Sequence, residues 1–145
     1  MGTRIIRTVD RLLAMVEPLT DDQARWTPSI PGWNSLAVIV THVLANLEEN
    51  VCAVIGGETV TRFREDEFYS PINSAVGLVE AWRALRPRIE ATIDSLESVD
   101  MPAERSHPRR GAVSVREALM VVMAHAALHE GHAEMTWDFL LTIPQ

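Results

Sequence analysis

Three of the chain's five histidines, His125, His129 and His132, fall in one apolar stretch, M-A-H-A-A-L-H-E-G-H-A-E-M. A helix turns about 100° per residue, so offsets of four and seven bring all three imidazoles onto one face. Neutral imidazole is the commonest protein metal ligand near pH 7, and two ligands one turn apart can grip a single ion. Coordination of a divalent cation is the chemistry this spacing offers.

A fourth histidine, His42, lies in W-N-S-L-A-V-I-V-T-H-V-L-A-N-L-E-E-N among Val38, Ile39, Val43 and Leu44, and so is expected to face inward. Asn46 and Glu49 follow it at i+4 and i+7, giving that helix a polar inner stripe. His42 falls about 12 Å from the start of its helix and His125 about 16 Å from the start of its own. In an up-down-up-down bundle the two helices run parallel, which brings the rings to similar depth. A site of His42, His125 and His129 leaves a position open for water or substrate, the arrangement of catalytic metal sites. Three imidazoles suit zinc first, with nickel or iron behind it. Glu49 and His132 are the candidate proton acceptors.

The elements that must position these residues are four amphipathic helices. The first covers about residues 3–17, with Ile5, Ile6, Val9, Leu12, Leu13 and Val16 on one stripe, and Pro18 stops it. A polar connector follows, interrupted by Pro28, Pro31 and Gly32. The second runs from an Asn34 or Ser35 cap to about Ile55, before Gly56-Gly57. Residues 57–71 follow neither helical nor strand period, and long ordered loops are often functional. The third spans about Asn73 to Val99, where Pro87 should kink or split it. Ser114 and Glu117 form a capping box, and the fourth helix continues to about Leu141. No strand pattern competes. The expectation is an all-α, four-helix bundle, one domain over residues 1–145.

At P-G-W-N-S-L-A-V-I-V-T-H and the downstream H-A-A-L-H-E-G-H the chain resembles the DinB-like (YfiT-like) metalloenzymes. The resemblance spans nearly the whole chain in order and spacing. It implies a four-helix bundle with a divalent metal held by His42, His125 and His129, and relationship to transferases and isomerases that use a low-molecular-weight thiol. Many relatives carry glutamine where this chain has His132, so a non-ligand role, outer-sphere or proton-transferring, is favoured there. Cα atoms seven residues apart stand about 10.5 Å from each other along a helix, too far for easy joint ligation with His125.

Composition narrows the classes. A net charge of −7 argues against nucleic-acid and anionic-membrane partners. All thirteen basic residues are arginine, so lysine chemistry is absent. Cys52 is the single cysteine; it is expected to be an inert buried thiol, and a reducing cytoplasm is the natural compartment. Charges interrupt the N-terminal apolar run, so neither a signal peptide nor a membrane span is expected. H-E-G-H lacks the H-E-x-x-H spacing of zinc proteases. His107, in R-S-H-P-R-R, is expected to face solvent. Arg62, Arg64, Arg105, Arg109 and Arg110 read first as solubilising charges and second as a carboxylate clamp; Trp26, Trp33, Trp82 and Trp137 read as core or interface anchors. The leading function is a metal-dependent enzyme, a small-thiol transferase or hydrolase acting on a small molecule. The alternatives are a metal-binding sensor without turnover and a structural bundle that forms homodimers.

Overall fold

A computed structural model describes residues 1–142, and the last three residues of the expected domain lie outside the described ones. Helix α1 is Gly2–Val16, and its buried side chains are the stripe read from the sequence plus Thr8. The polar connector holds an unforeseen short helix, α2 (Asp21–Arg25), opened by a reciprocal capping box between Thr20 and Gln23.

Helix α3 is Leu36–Leu47, with the Ser35 hydroxyl accepting the Val38 N–H. It passes without a break into a π-helical segment, Glu48–Ile55, before Gly57 turns away at φ 75°. The wider π turn buries four consecutive residues, Glu49, Asn50, Val51 and Cys52, which a regular α-helix packed on one face does not do. The span Leu36–Ile55 is long and apolar enough to cross a membrane, but 78% of an 18-residue apolar stretch within it is buried inside the protein.

Residues 57–71 carry a short helix, α4 (Asp66–Tyr69). Helix α5 (Ala75–Asp94) is capped by Ser74 and runs through Pro87 as one element, so the expected split does not occur. A 3₁₀ turn at Ser98–Asp100 leads to a two-stranded antiparallel hairpin, β1 (Glu104–His107) and β2 (Gly111–Ser114). These strands correct the expectation of none. Their tip, P-R-R-G, closes on Gly111 at φ 75°, a conformation that glycine adopts without strain. Ser114 and Glu117 form the expected capping box, and α6 (Val115–Leu141) follows.

One core cluster draws on all four long helices, with Leu12, Val40, Leu47, Leu78, Ile89 and Val115 fully enclosed. Helices α1 and α3 each pack against both α5 and α6. The consecutive pair α5 and α6 makes no comparable contact, so residues 95–114 cross the end of the core between them. Helix α6 thereby lies beside α3, which brings the histidine-rich stretch next to His42.

Candidate metal centre

His42, His125 and His129 converge: one ring nitrogen of each lies within 4.8 Å of the others. The ring centroids stand 4.8, 4.9 and 4.5 Å apart, and His42 Nε2 is 2.9 Å from His125 Nε2. His42 is 5% exposed, whereas His125 and His129 are half-buried.

Glu67 of α4 fixes the His42 ring, its Oε2 lying 2.5 Å from His42 Nδ1. A carboxylate only accepts, so the proton sits on Nδ1 and the Nε2 lone pair is directed at the cluster. Glu67 is 5% exposed and is gripped by Arg62, whose Nε and Nη2 donate to its two oxygens at 2.5 and 2.9 Å. Arg62 Nη1 donates to Glu49 Oε2 at 3.0 Å, and Arg109 donates to both Glu49 oxygens. Charges of alternating sign thus run inward from the hairpin through Arg109, Glu49, Arg62 and Glu67 to His42. Arg110 donates to Asn50 Oδ1 at 2.6 Å, a second tie between the hairpin and the π-helical segment.

The surroundings keep the imidazoles neutral. Burial pushes His125 down to about 3, helped by the neighbouring His129 and His42. Burial pushes His129 down to about 4, with His42 and His132 adding to it. Burial also lowers His42, partly opposed by Glu67. Neutral rings keep lone pairs for coordination. Buried polar atoms are normally hydrogen-bonded, yet His129 Nδ1 and Asn46 Oδ1 have no partner among the described residues. One such atom on each of the two helices lining the cluster, beside three neutral nitrogen donors, fits a bound divalent cation.

His132 is exposed and stands edge-on to His129 at 5.4 Å between centroids, next to the three-ring cluster and outside it. Glu49 is 4% exposed and is held by Arg62 and Arg109; burial pushes its carboxyl up, but the two guanidiniums outweigh that and hold it below the usual range. Cys52 is fully buried and its thiol is pushed up to about 11 by burial. Glu130 pairs with Arg11 across α1 and α6.

Two expectations need correction. His107 is 3% exposed, because the hairpin folds its ring against the Arg110 guanidinium. Arg62, with 5% of its side chain exposed, is no solubilising charge. Glu67 was missed as a functional residue, although the long loop that carries it was marked. An acidic residue in a polar loop gives no sign that the loop will fold over a histidine. Arg64 stands over the Phe68 ring at 5.6 Å, Phe68 packs on His42 at 5.2 Å, and Arg64 makes no ion pair among the described residues.

A helical protein with a cluster of neutral histidines, one enclosed and two half-buried, at the contact of two core helices is the class that fold and site define. The model of the mycothiol-S-transferase family matches residues 4–137, and the chain belongs to that DinB-like family. Two solved structures share the fold. A conserved protein from Enterococcus faecalis has TM-score 0.76 and 13% identity, over 98% of this chain and 95% of that one. A DinB-like protein from Bacillus cereus has TM-score 0.73 and 18% identity, over 95% and 89%. No functionally curated protein matches the sequence.

Proposed function

We propose that this protein is a divalent-metal-dependent transferase that joins a low-molecular-weight thiol to a small electrophile, with His42, His125 and His129 as the metal ligands. The observation that carries this reading is the meeting of three neutral imidazoles within 4.8 Å, one of them oriented by a buried carboxylate. Up-down-up-down order, with α3 parallel to α6, accounts for the shared depth of these rings. Zinc ranks first for an all-imidazole donor set, with nickel or iron behind it.

A divalent cation in this position supplies Lewis acidity that makes a thiol, or water in a hydrolase, easier to deprotonate. The chain's own residues do the rest. Glu67 holds the His42 tautomer, and Arg62 holds Glu67. Glu49 serves as the anchor for Arg62 and Arg109, since a carboxylate tied to two guanidiniums is a poor base. His132, at the exposed edge of the cluster, takes the thiol proton; sulfur then forms its bond to the electrophilic carbon, and the leaving group departs with its electron pair. Cys52, enclosed and protonated, takes no part. We further place the protein in the cytoplasm, where its one cysteine stays reduced. We pair two copies through the outer face of α6, where Met120, Leu128 and Met135 are exposed; sedimentation of untagged protein reads that state, and a monomer refutes it.

Elemental analysis of untagged protein beside His125→Ala tests the core of the proposal. The native chain is expected to retain a divalent metal and to conjugate a thiol to an alkyl halide, and the variant to lose both. Equal metal content in the two proteins overturns the ligand assignment.

A further inference from the structure

The hollows along α1, of about 380 and 470 Å³, are lined by residues such as Arg7, Asp10, Arg86 and Arg4, none of them from the histidine cluster. A smaller cleft is different. It holds about 150 Å³ and is lined by Gly32, Trp33, Asn34, Ile39 and His132. His132 joins it to the candidate metal centre, its ring standing against His129.

The wall opposite His132 is built by a tight turn. Trp33 N–H donates to Ile30 carbonyl at 3.2 Å, with Pro31 and Gly32 between and Gly32 at φ 78°. Proline first and a left-handed glycine second is the chemistry of a type II turn. That turn sets the indole against α6, where Trp33 Nε1 donates to Thr136 Oγ1 at 2.8 Å. Thr136 Oγ1 donates in turn to the His132 carbonyl at 2.9 Å, and Phe139 meets the Trp33 ring edge-on at 5.5 Å. The indole is therefore locked to the helical turn that carries His132. The side chains of Asn34 and His132 make no hydrogen bond among the described residues, and both border the cleft.

We infer that this cleft binds a flat, uncharged, ring-sized part of the electrophile, stacked on Trp33 and hydrogen-bonded by Asn34 or His132. A cavity of about 150 Å³ accommodates one benzene ring. Indole and isoleucine supply the apolar walls, an amide and an imidazole supply polar partners, and among the described residues no carboxylate or guanidinium lines the space to receive a charge. The inference deepens the transferase reading and rests on it for the word electrophile; the binding site itself does not need the metal.

The test separates the two. Metal-free protein is titrated with benzamide, benzoate and acetamide while the Trp33 indole N–H resonance is followed. Benzamide is expected to move it saturably, with benzoate and acetamide about tenfold weaker or worse. Asn34→Trp, which fills the cleft from a half-exposed position, is expected to abolish the response while its melting temperature shows it folded. A Trp33 resonance that benzamide leaves unmoved, or moves equally in Asn34→Trp, overturns the site. In metal-loaded protein, Asn34→Trp is expected to lower kcat/KM for benzyl chloride about tenfold more than for chloroacetamide. An equal loss for both overturns the electrophile assignment. Benzamide binding without any conjugation activity overturns the transferase reading and leaves the cleft standing.

Discussion

The two sides of the histidine cluster are built on opposite plans. On the α3 side, His42 is enclosed and joins a chain of charged contacts through the buried Glu67, Arg62 and Glu49 that ends at the exposed Arg109. On the α6 side, His125 and His129 are half-buried, and His129 Nδ1 has no partner among the described residues. One side fixes a ring before any ligand arrives. The other leaves donors and space, the cleft beside His132 included. The proposed metal-dependent transferase would draw on both, since a preorganised ligand reduces the ordering that binding requires, and an open flank admits substrate.

The contrast predicts that the α3 side governs stability and the α6 side governs ligand binding. Arg62→Ala should have the largest effect on folding. Removing the cation leaves the buried Glu67 with only the neutral His42 ring and Glu49 with only Arg109, and breaking a buried pair costs about 3–5 kcal/mol. Thermal or denaturant unfolding checks it, and a loss below about 1 kcal/mol would mean the network is water-penetrated and loose. The same substitution should weaken metal binding as well, because Glu67 loses its anchor. His129→Ala should do the reverse, costing metal with little loss of stability.

Next in size is Glu67→Gln. Glutamine keeps the shape and can still accept from His42 Nδ1, but it removes the charge that Arg62 and the imidazole both use. Residues that orient a metal-binding histidine are typically worth 10–100-fold in affinity. Competition with a chromogenic chelator reads that loss directly. Unchanged affinity would show that the His42 ring is oriented by packing against Phe68 alone.

Acid should take the two sides apart in sequence, in protein stripped of metal. His125 and His129 are held at about 3 and 4 in the fold, below the ordinary histidine value of about 6.5. Between those limits the unfolded chain binds more protons than the folded one, so stability falls as pH drops from about 6.5. Glu49 is depressed, so its contribution is complete above the ordinary glutamate value of about 4.3 and is lost only below it. Unfolding followed against pH should show a steep loss through the histidine range, where two groups take up protons in the unfolded chain, then a shallower one as Glu49 titrates. The double variant His125→Ala, His129→Ala should flatten the first phase and keep the second.

How much of this was legible follows the same division. Each long helix announced itself through apolar periodicity and its ends: Pro18 after α1, Ser35 before α3, the Ser114/Glu117 box before α6. The three imidazoles were legible because a helix converts spacing into direction, and because α3 and α6 start near caps that set their depth. What supports His42 was not. Helix α4 is one turn long, too short for periodicity to register. Nothing in E-E-N-V-C-A-V-I marks a π-helical segment, and yet it is this widened turn that buries both Glu49 and Asn50. The hairpin tip S-H-P-R-R-G has no alternation, so His107 looked solvated and the reach of Arg109 to Glu49 gave no sign. Charged residues in polar segments go inside only when a partner of opposite sign meets them, and that partner comes from a distant part of the chain.

The sharpest and smallest contrast lies within that loop, between Arg62 and Arg64. The two are adjacent but one in sequence, identical in chemistry, and both lower the affinity of His42 and His125 for protons. Arg62 is enclosed between two carboxylates, while Arg64 is exposed and rests on the Phe68 ring. An exposed cation–π contact is worth about 0.5–1 kcal/mol, so Arg64→Gln should cost no more than that, several times less than Arg62→Ala. Because Phe68 also packs on His42, the substitution should loosen one wall of the cluster without disturbing the Glu67 contact, and metal affinity should stay within about threefold. If Arg64→Gln proves as damaging as Arg62→Ala, the loop is stabilised as a single charged unit, and the division between a locked side and an open side has been drawn in the wrong place.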